Sequence, residues 1–376
     1  VRLLLTGLLA TAAVLVARPA TATDVAVHLL GDDSGHWEVV DAAALGDSGR
    51  VRAIARRRTR TSDATPPEAH LWTIDAASGV LVDDVPLELG MDGPRLGDVR
   101  FAGSADAIVA VAGGRYARLR IGDPVQAAIG PSIDTLLVAH DLRGERTLVA
   151  GARRLAGRTS LVDFASGTVA DVDVPSGAPY VTGAVDAGGL GFVLVGARHA
   201  EEGASGPVFT DVWVGSFTPT GVLRTEATFA GRNPRVVAAT AGTAILAFDA
   251  ATEHIEEQIV AVALSIGLDV RWRREIATLV PQDAIEPPHV CALPGDRVLI
   301  ATVADGGPWA AVIDATTGES RIVLHGTEQR AHPPYTLACA GARGVLFSTG
   351  VRAIESGGRP ENLMKVKMLS FAVDGG

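Results

Sequence analysis

From residue 25 onward the chain alternates short apolar blocks with polar breaks. The blocks run five to eight residues, are rich in Val, Ala, Leu and Ile, and are separated by Gly, Pro, Asp or Ser. Blocks of that length without a helical period predict strands buried on both faces. Glu253 to Leu264 has a spacing that suits an amphipathic helix, but the strand-like sequence around it favours β structure there too. The predicted fold class is therefore all-β.

Pro308 to Leu324, PWAAVIDATTGESRIVL, shows the unit most clearly. Two apolar strands are joined by a bend at Asp314 to Gly318. The same hairpin recurs at Leu71 to Leu87, Ser160 to Val174, Val212 to Phe229 and Val260 to Ile276. Each carries a glycine at the bend (Gly79, Gly167, Gly221, Gly267, Gly318), where a tight turn calls for left-handed backbone. A second strand pair precedes each hairpin, as in Leu136 to His140 with Thr147 to Ala152. Pro94, Pro131, Pro179, Pro234, Pro288 and Pro334 announce the first strand of six such pairs, since proline can open a strand but not occupy its middle.

These signals predict seven units of four strands. The last unit, Thr336 to Ala340, Val345 to Thr349 and Met364 to Val373, lacks its fourth strand, while Val25 to Leu30 is a spare strand at the start. Joining them would remove a free sheet edge. The predicted architecture is a seven-bladed β-propeller whose last blade is completed by strand 25–30. Six or eight blades remain open on spacing alone, and the competing architecture is a stacked sandwich or two smaller barrels.

The hairpins Ile74-Asp75-Ala76-Ala77-Ser78-Gly79 and Ile313-Asp314-Ala315-Thr316-Thr317-Gly318, with the looser Val162 to Gly167, resemble those of the quinoprotein-like and WD-repeat propeller families. The resemblance implies the fold and carries no activity. Quinoprotein dehydrogenases need adjacent cysteines, a calcium-type site and a tryptophan platform; none can be mapped here, so no quinone cofactor is expected. The propeller scaffold of outer-membrane protein assembly is similar in shape but is a lipoprotein, and this chain has no lipid-bearing Cys near its start.

Arg2, the apolar run Leu3 to Ala17 and the small residues Ala20-Thr21-Ala22 have the form of a secretory signal peptide spanning 1–22. The expected mature domain is 23–376, exported to the periplasm or beyond, with no later run long enough to span a membrane. The chain holds 33 basic and 43 acidic residues, and loss of Arg2 and Arg18 would widen that excess. An acidic balance argues against nucleic acid and anionic membrane as partners. Cys291 and Cys339 are the two cysteines. They fall on the first strands of neighbouring units, where a disulfide fits an oxidising compartment and two buried thiols are the alternative.

Catalytic motifs do not survive inspection. Gly46-Asp47-Ser48-Gly49 is similar to the nucleophile segment of trypsin-like proteases, but too little chain precedes it to hold the partner His and Asp, so it reads as a polar turn. The nine His residues show no zinc spacing, and Asp83-Asp84 or Asp171 with Asp173 lack the calcium-loop pattern, so no metal is expected. Trp72, Trp213 and Trp309 occupy the first strand of their hairpins and are expected to pack between blades.

The candidate site is positional. Arg95, Tyr180, Arg235, His289 and Tyr335 follow the entry prolines and should meet at one mouth of a central channel. Arg56, Arg153, Arg198 and Arg352 end second strands on the same side. Loops on a rigid scaffold commonly carry binding. The expectation is a non-catalytic module that binds an anionic or glycan-like ligand, or a partner protein, at that mouth. The alternative is a glycan-active hydrolase or lyase with residues drawn from several blades.

Overall fold

The computed structural model describes residues 25–32, 35–59, 68–89, 98–143, 145–153, 156–175, 180–203, 206–240, 242–251, 257–279, 287–304, 307–325, 332–356 and 359–374. They form seven antiparallel sheets, six of four strands and one assigned three. In chain order, blades 1 to 7, the innermost strands are Gly35–Ala44, Val99–Phe101, Thr135–Asp141, Tyr180–Asp186, Arg232–Thr240, His289–Leu293 and His332–Ala340. From each one the chain steps outward through antiparallel neighbours. Among the described residues no helix is long and apolar enough to cross a membrane.

Blade 2 also has four arms. Ala107–Arg120, 14 residues, pairs at its start with Val99–Phe101 and at its end with Gln126–Ile133. A straight strand of that length spans about 46 Å. Yet the Ile121 N–H donates to the Asp106 carbonyl at 3.0 Å. The segment therefore doubles back, at Gly113 with φ +62°.

Unbroken apolar runs are explained by blades with two buried faces. Ile245 and Ala247 enter the cluster shared with blade 6, while Leu246 and Phe248 enter the one shared with blade 4. Seven such clusters fill the gaps between blades. A linear stack of seven would need six. The seventh joins Trp37, Val51 and Trp72 of blade 1 to Val345, Phe347 and Met368 of blade 7. The ring is closed, a seven-bladed β-propeller.

Trp72, Trp213 and Trp309 lie buried in these clusters. Burying a side chain of that size removes about 150–250 Å² from water, worth roughly 4–6 kcal/mol at 25 cal/mol per Å². They are packing elements, as their position predicts.

The repeated bend has a local logic and a long-range one. The Asp75 carboxylate accepts the Ser78 N–H (2.8 Å) and hydroxyl (2.7 Å), and Asp314 accepts the N–H groups of Thr317 (2.8 Å) and Thr316 (2.9 Å). These bonds hold both carboxyls below the usual carboxylate range. Gly79 and Gly318 follow with φ of +68° and +74°. These two bends also dock on the preceding blade. A Cβ on Gly318 would lie 2.8 Å from Trp272 of blade 5, whose indole N–H donates to Ala315 O at 2.9 Å. A Cβ on Gly79 would strike the His28 ring at 2.2 Å. Glycine is thus required twice, for the turn and for the contact.

Two local expectations need correction. At the Ser265 bend the left-handed residue is Leu268 (φ +68°), not Gly267. That geometry costs about 1–2 kcal/mol for an L-residue, and burial of Leu268 in the cluster with blade 4 offsets it. The entry prolines are also not equivalent. Pro131 lies within Gln126–Ile133, the outer edge strand of blade 2, where a missing N–H breaks no ladder bond. Pro234 and Pro334 sit third in their innermost strands and Pro288 directly precedes its own. Pro94 and Pro179 lie outside the described residues.

Closure is as the sequence predicts. Val25–Leu30 pairs antiparallel with Arg359–Ala372, from Val25 opposite Phe371 to Leu30 opposite Val366. The seam carries polar anchors too. Buried Lys365 donates to the carbonyls of Gly31 and Asp32, and Ser370 donates to Ala76 O. Cys291 and Cys339 are bridged, with Cα atoms 5.8 Å apart, tying the innermost strands of blades 6 and 7.

The bridge closes a loop of 48 residues, for which chain entropy predicts about 4 kcal/mol as an upper value. Reduction, or Cys291→Ala with Cys339→Ala, should lower the thermal midpoint by several degrees while leaving β-sheet circular dichroism unchanged. Identical melts with and without reductant would show that the bridge contributes nothing.

Candidate functional site

The innermost strands each end a sheet, so one edge of every strand has no strand partner. Those edges face a central channel of about 650 Å³ that residues from all seven blades line. Unpaired backbone N–H and C=O groups give its wall a regular hydrogen-bonding capacity. Its ionisable side chains are Glu38, Asp41, Arg100, His140, Arg235 and His289.

Two bulges set the arginines. In blade 1 the register slips between Val39 and Asp41; Val40 O then accepts Arg100 Nη1 at 2.7 Å. The Asp41 carboxylate accepts the N–H of Phe101 (2.8 Å) and of Ala42 (3.0 Å). Burial still leaves that carboxyl above its ordinary range, against the pull of Arg100. In blade 5 the register slips between Arg232 and Arg235, and Arg235 Nη1 donates to Pro234 O at 3.0 Å.

Arg100 and Arg235 come from blades three places apart, so they approach from well-separated sides of the ring. Burial and then the charge of Arg100 push Arg235 down to about 10. Burial, with Arg235 beside it, pushes His289 down to about 3 and keeps that imidazole neutral. His140 is also lowered by burial, against the opposing pull of Asp186 and Asp141. The channel therefore presents two guanidiniums that repel each other, a neutral imidazole and a carboxyl held by backbone N–H groups. Such a cluster favours an anion between the guanidiniums.

Of the residues picked from sequence, Arg235 and His289 meet in the channel. Tyr180 opens the innermost strand of blade 4 and is partly buried, outside the channel lining; burial raises its phenol. The backbone of Tyr335 lies in His332–Ala340, and its side chain, like the whole of Arg95, falls outside the described residues. Arg198 pairs with Glu226 at 3.1 Å, which also accepts Trp213 Nε1 at 2.7 Å, so that arginine serves the blade. Arg56 stands opposite Glu38 and is lowered by burial. Arg100, Asp41 and His140 were missed. A partial signal was present for Arg100, a charged residue between Val99 and Phe101, while Asp41 and His140 share their strands with other polar residues.

No protein-family model matches the sequence, and neither does any curated protein. In structure the chain is similar to an uncharacterised protein of Listeria monocytogenes EGD-e, with 9% identity, 90% of this chain and 97% of that one covered, and a TM-score of 0.52. It is similar to YCF48 bound to D1 peptide, at 8% identity over 95% of this chain and 99% of that one, TM-score 0.53. It is also similar to an acylaminoacyl peptidase in complex with Z-Gly-Gly-Phe-chloromethyl ketone, at 12% identity and TM-score 0.50, but 88% of this chain spans only 51% of that protein. Identities this low speak to the propeller fold alone.

His289 gives a signed pH test. Below pH 6.5 the unfolded chain takes up a proton that native His289 refuses until about pH 3. Native stability therefore falls through that window as the pH drops. In His289→Gln this loss is absent, so between pH 6.5 and 4 the variant should lose roughly 3 kcal/mol less than wild type in urea titrations. Equal losses would contradict the burial of a neutral His289.

Proposed function

We propose that the chain is an exported, non-catalytic binding module whose channel grips an anionic, hydroxyl-bearing ligand such as a sugar acid. The observation that carries this is the pair Arg100 and Arg235, which line one channel and repel each other, and for which no carboxylate lies within ion-pair distance among the described residues, although Asp41 and Asp249 act on them from farther off. An anion placed there relieves their repulsion and gains charge-assisted hydrogen bonds, each worth about 1.5–3 kcal/mol. The unpaired strand edges around them suit hydroxyl groups. A volume of about 650 Å³ lies within the usual range for small-molecule sites. The signal-like stretch 1–22 and the disulfide both fit export.

Holding fits better than turnover. His289, at about 3, is a weak base at neutral pH, and Asp41 is already occupied by two backbone N–H groups. A second reading, a hydrolase or lyase on a glycan, draws on Glu38 and Asp41 lining the same channel. Two carboxylates are the usual equipment of a glycosidase.

Thermal-shift titration with glucuronate, glucose, sulfate and an acidic peptide tests the reading. Glucuronate and sulfate should raise the midpoint, glucose should not, and Arg100→Ala with Arg235→Ala should weaken both anions at least tenfold. Unchanged affinity in the double variant would remove the channel from consideration. Release of unsaturated or shortened sugar from a uronate oligosaccharide would establish the enzyme reading instead.

A further inference from the structure

Asp249 lies on Thr243–Ala251, the second strand of blade 5, and is fully buried. Its Oδ2 accepts Asn233 Nδ2 at 2.7 Å, while Oδ1 has no hydrogen-bond partner among the described residues. A buried carboxylate satisfied on one side only is costly, so its surroundings merit a reason.

Those surroundings form the bulge that carries Arg235. Asp249 stands opposite Arg232, and Arg235 stands opposite Ala247, so an extra residue is accommodated between them. Asn233 takes it up with φ +54°, a conformation Asn tolerates when its side chain is held locally. The chain crosses so close to the second strand that a Cβ on Gly231 would sit 2.6 Å from Asp249 O. On the far side of the bulge, Pro234 O accepts Thr182 Oγ1 of blade 4 at 2.7 Å. Asn233 and Pro234 are thus pinned from opposite directions, and Arg235 leaves the bulge toward the channel.

We propose that Asp249 is a positioning residue of the channel site: through Asn233 it sets the bulge that aims Arg235 into the lumen, and its charge tempers that of Arg235. This rests on the reading that the channel binds anions through Arg235. The charged and titratable groups around it are Arg232 and Arg235 of its own blade and, beside Arg235, Arg100 of blade 2 and His289 of blade 6. Burial raises the Asp249 carboxyl to about 6, against the pull of Asn233, Arg232 and Arg235. His289 stays neutral across that range. Above pH 6 the site therefore carries an added negative charge behind Arg235, and an anion is held less firmly.

Sulfate, whose charge is constant, is the probe, titrated calorimetrically into the full chain at pH 5 and pH 7.5. Wild type should bind several-fold more tightly at pH 5. Asp249→Asn keeps an acceptor for Asn233 without the charge, so its affinity should match the pH 5 value at both pH values. Asp249→Val removes the acceptor and should weaken sulfate about tenfold at both. The inference is overturned if Asp249→Asn retains the wild-type pH dependence, or if a folded Asp249→Val binds like wild type. Should Asp249→Val fail to fold, the Asn variant decides alone. Loss of sulfate binding in the Arg100, Arg235 double variant with no effect of either Asp249 substitution would leave the channel reading standing and end this one. Absence of sulfate binding in wild type would end both.

Discussion

A sheet that is apolar on both faces cannot stand alone; each face must be covered by another sheet. With seven such sheets in one chain, the arrangement that leaves no outer apolar face bare is a circle. The cluster of Trp37 and Trp72 with Phe347 and Met368 is where that requirement is met, since it joins the first and last blades. The Asp-Gly bends at Gly79 and Gly318 then act as couplings, each resting on the blade before it at a distance only glycine permits. The channel is a by-product of the same geometry. Its diameter follows from blade number, and its wall from the edges that the innermost strands leave unpaired.

The fold was largely legible in the chain because its signals are local. Bend residues lie within five positions of one another, and two-sided burial turns each strand into a continuous apolar run. Even the closing partnership of Val25–Leu30 with Arg359–Ala372 could be read, as a surplus strand at one end and a deficit at the other. What escaped was backbone irregularity. Nothing in Ser265-Ile266-Gly267-Leu268 says that leucine will take the left-handed position; that depends on what Leu268 buries against in blade 4. Pro131 was misplaced for a related reason, because an edge strand accepts proline wherever its N–H faces away from the ladder.

The site was legible only in part. Arg235 and His289 could be placed by their distance from a proline, because position in the repeat fixes angular position in the ring. Asp41 could not, since a bulge decides which way its side chain leaves the strand, and Arg100 could not, since its acceptor, Val40 O, belongs to that same bulge in the neighbouring blade. The electrostatic character of the channel was even less accessible. An acidic protein carries two arginines at its axis, and their mutual effect exists only once blades 2 and 5 face across the lumen. Net charge describes the outer surface and says little about the centre.

Blade 7 is assembled from both extremes of the described chain, Val25–Leu30 and His332–Ala372. A polypeptide emerging from its amino end can build six sheets as it appears, but Val25–Leu30 has no lasting partner until Arg359–Ala372 arrives. Folding of the final sheet is thereby deferred until Arg359–Ala372 is available. A prematurely terminated product would be left with an unclosed arc and a sticky strand at its rim, recognisable to quality control.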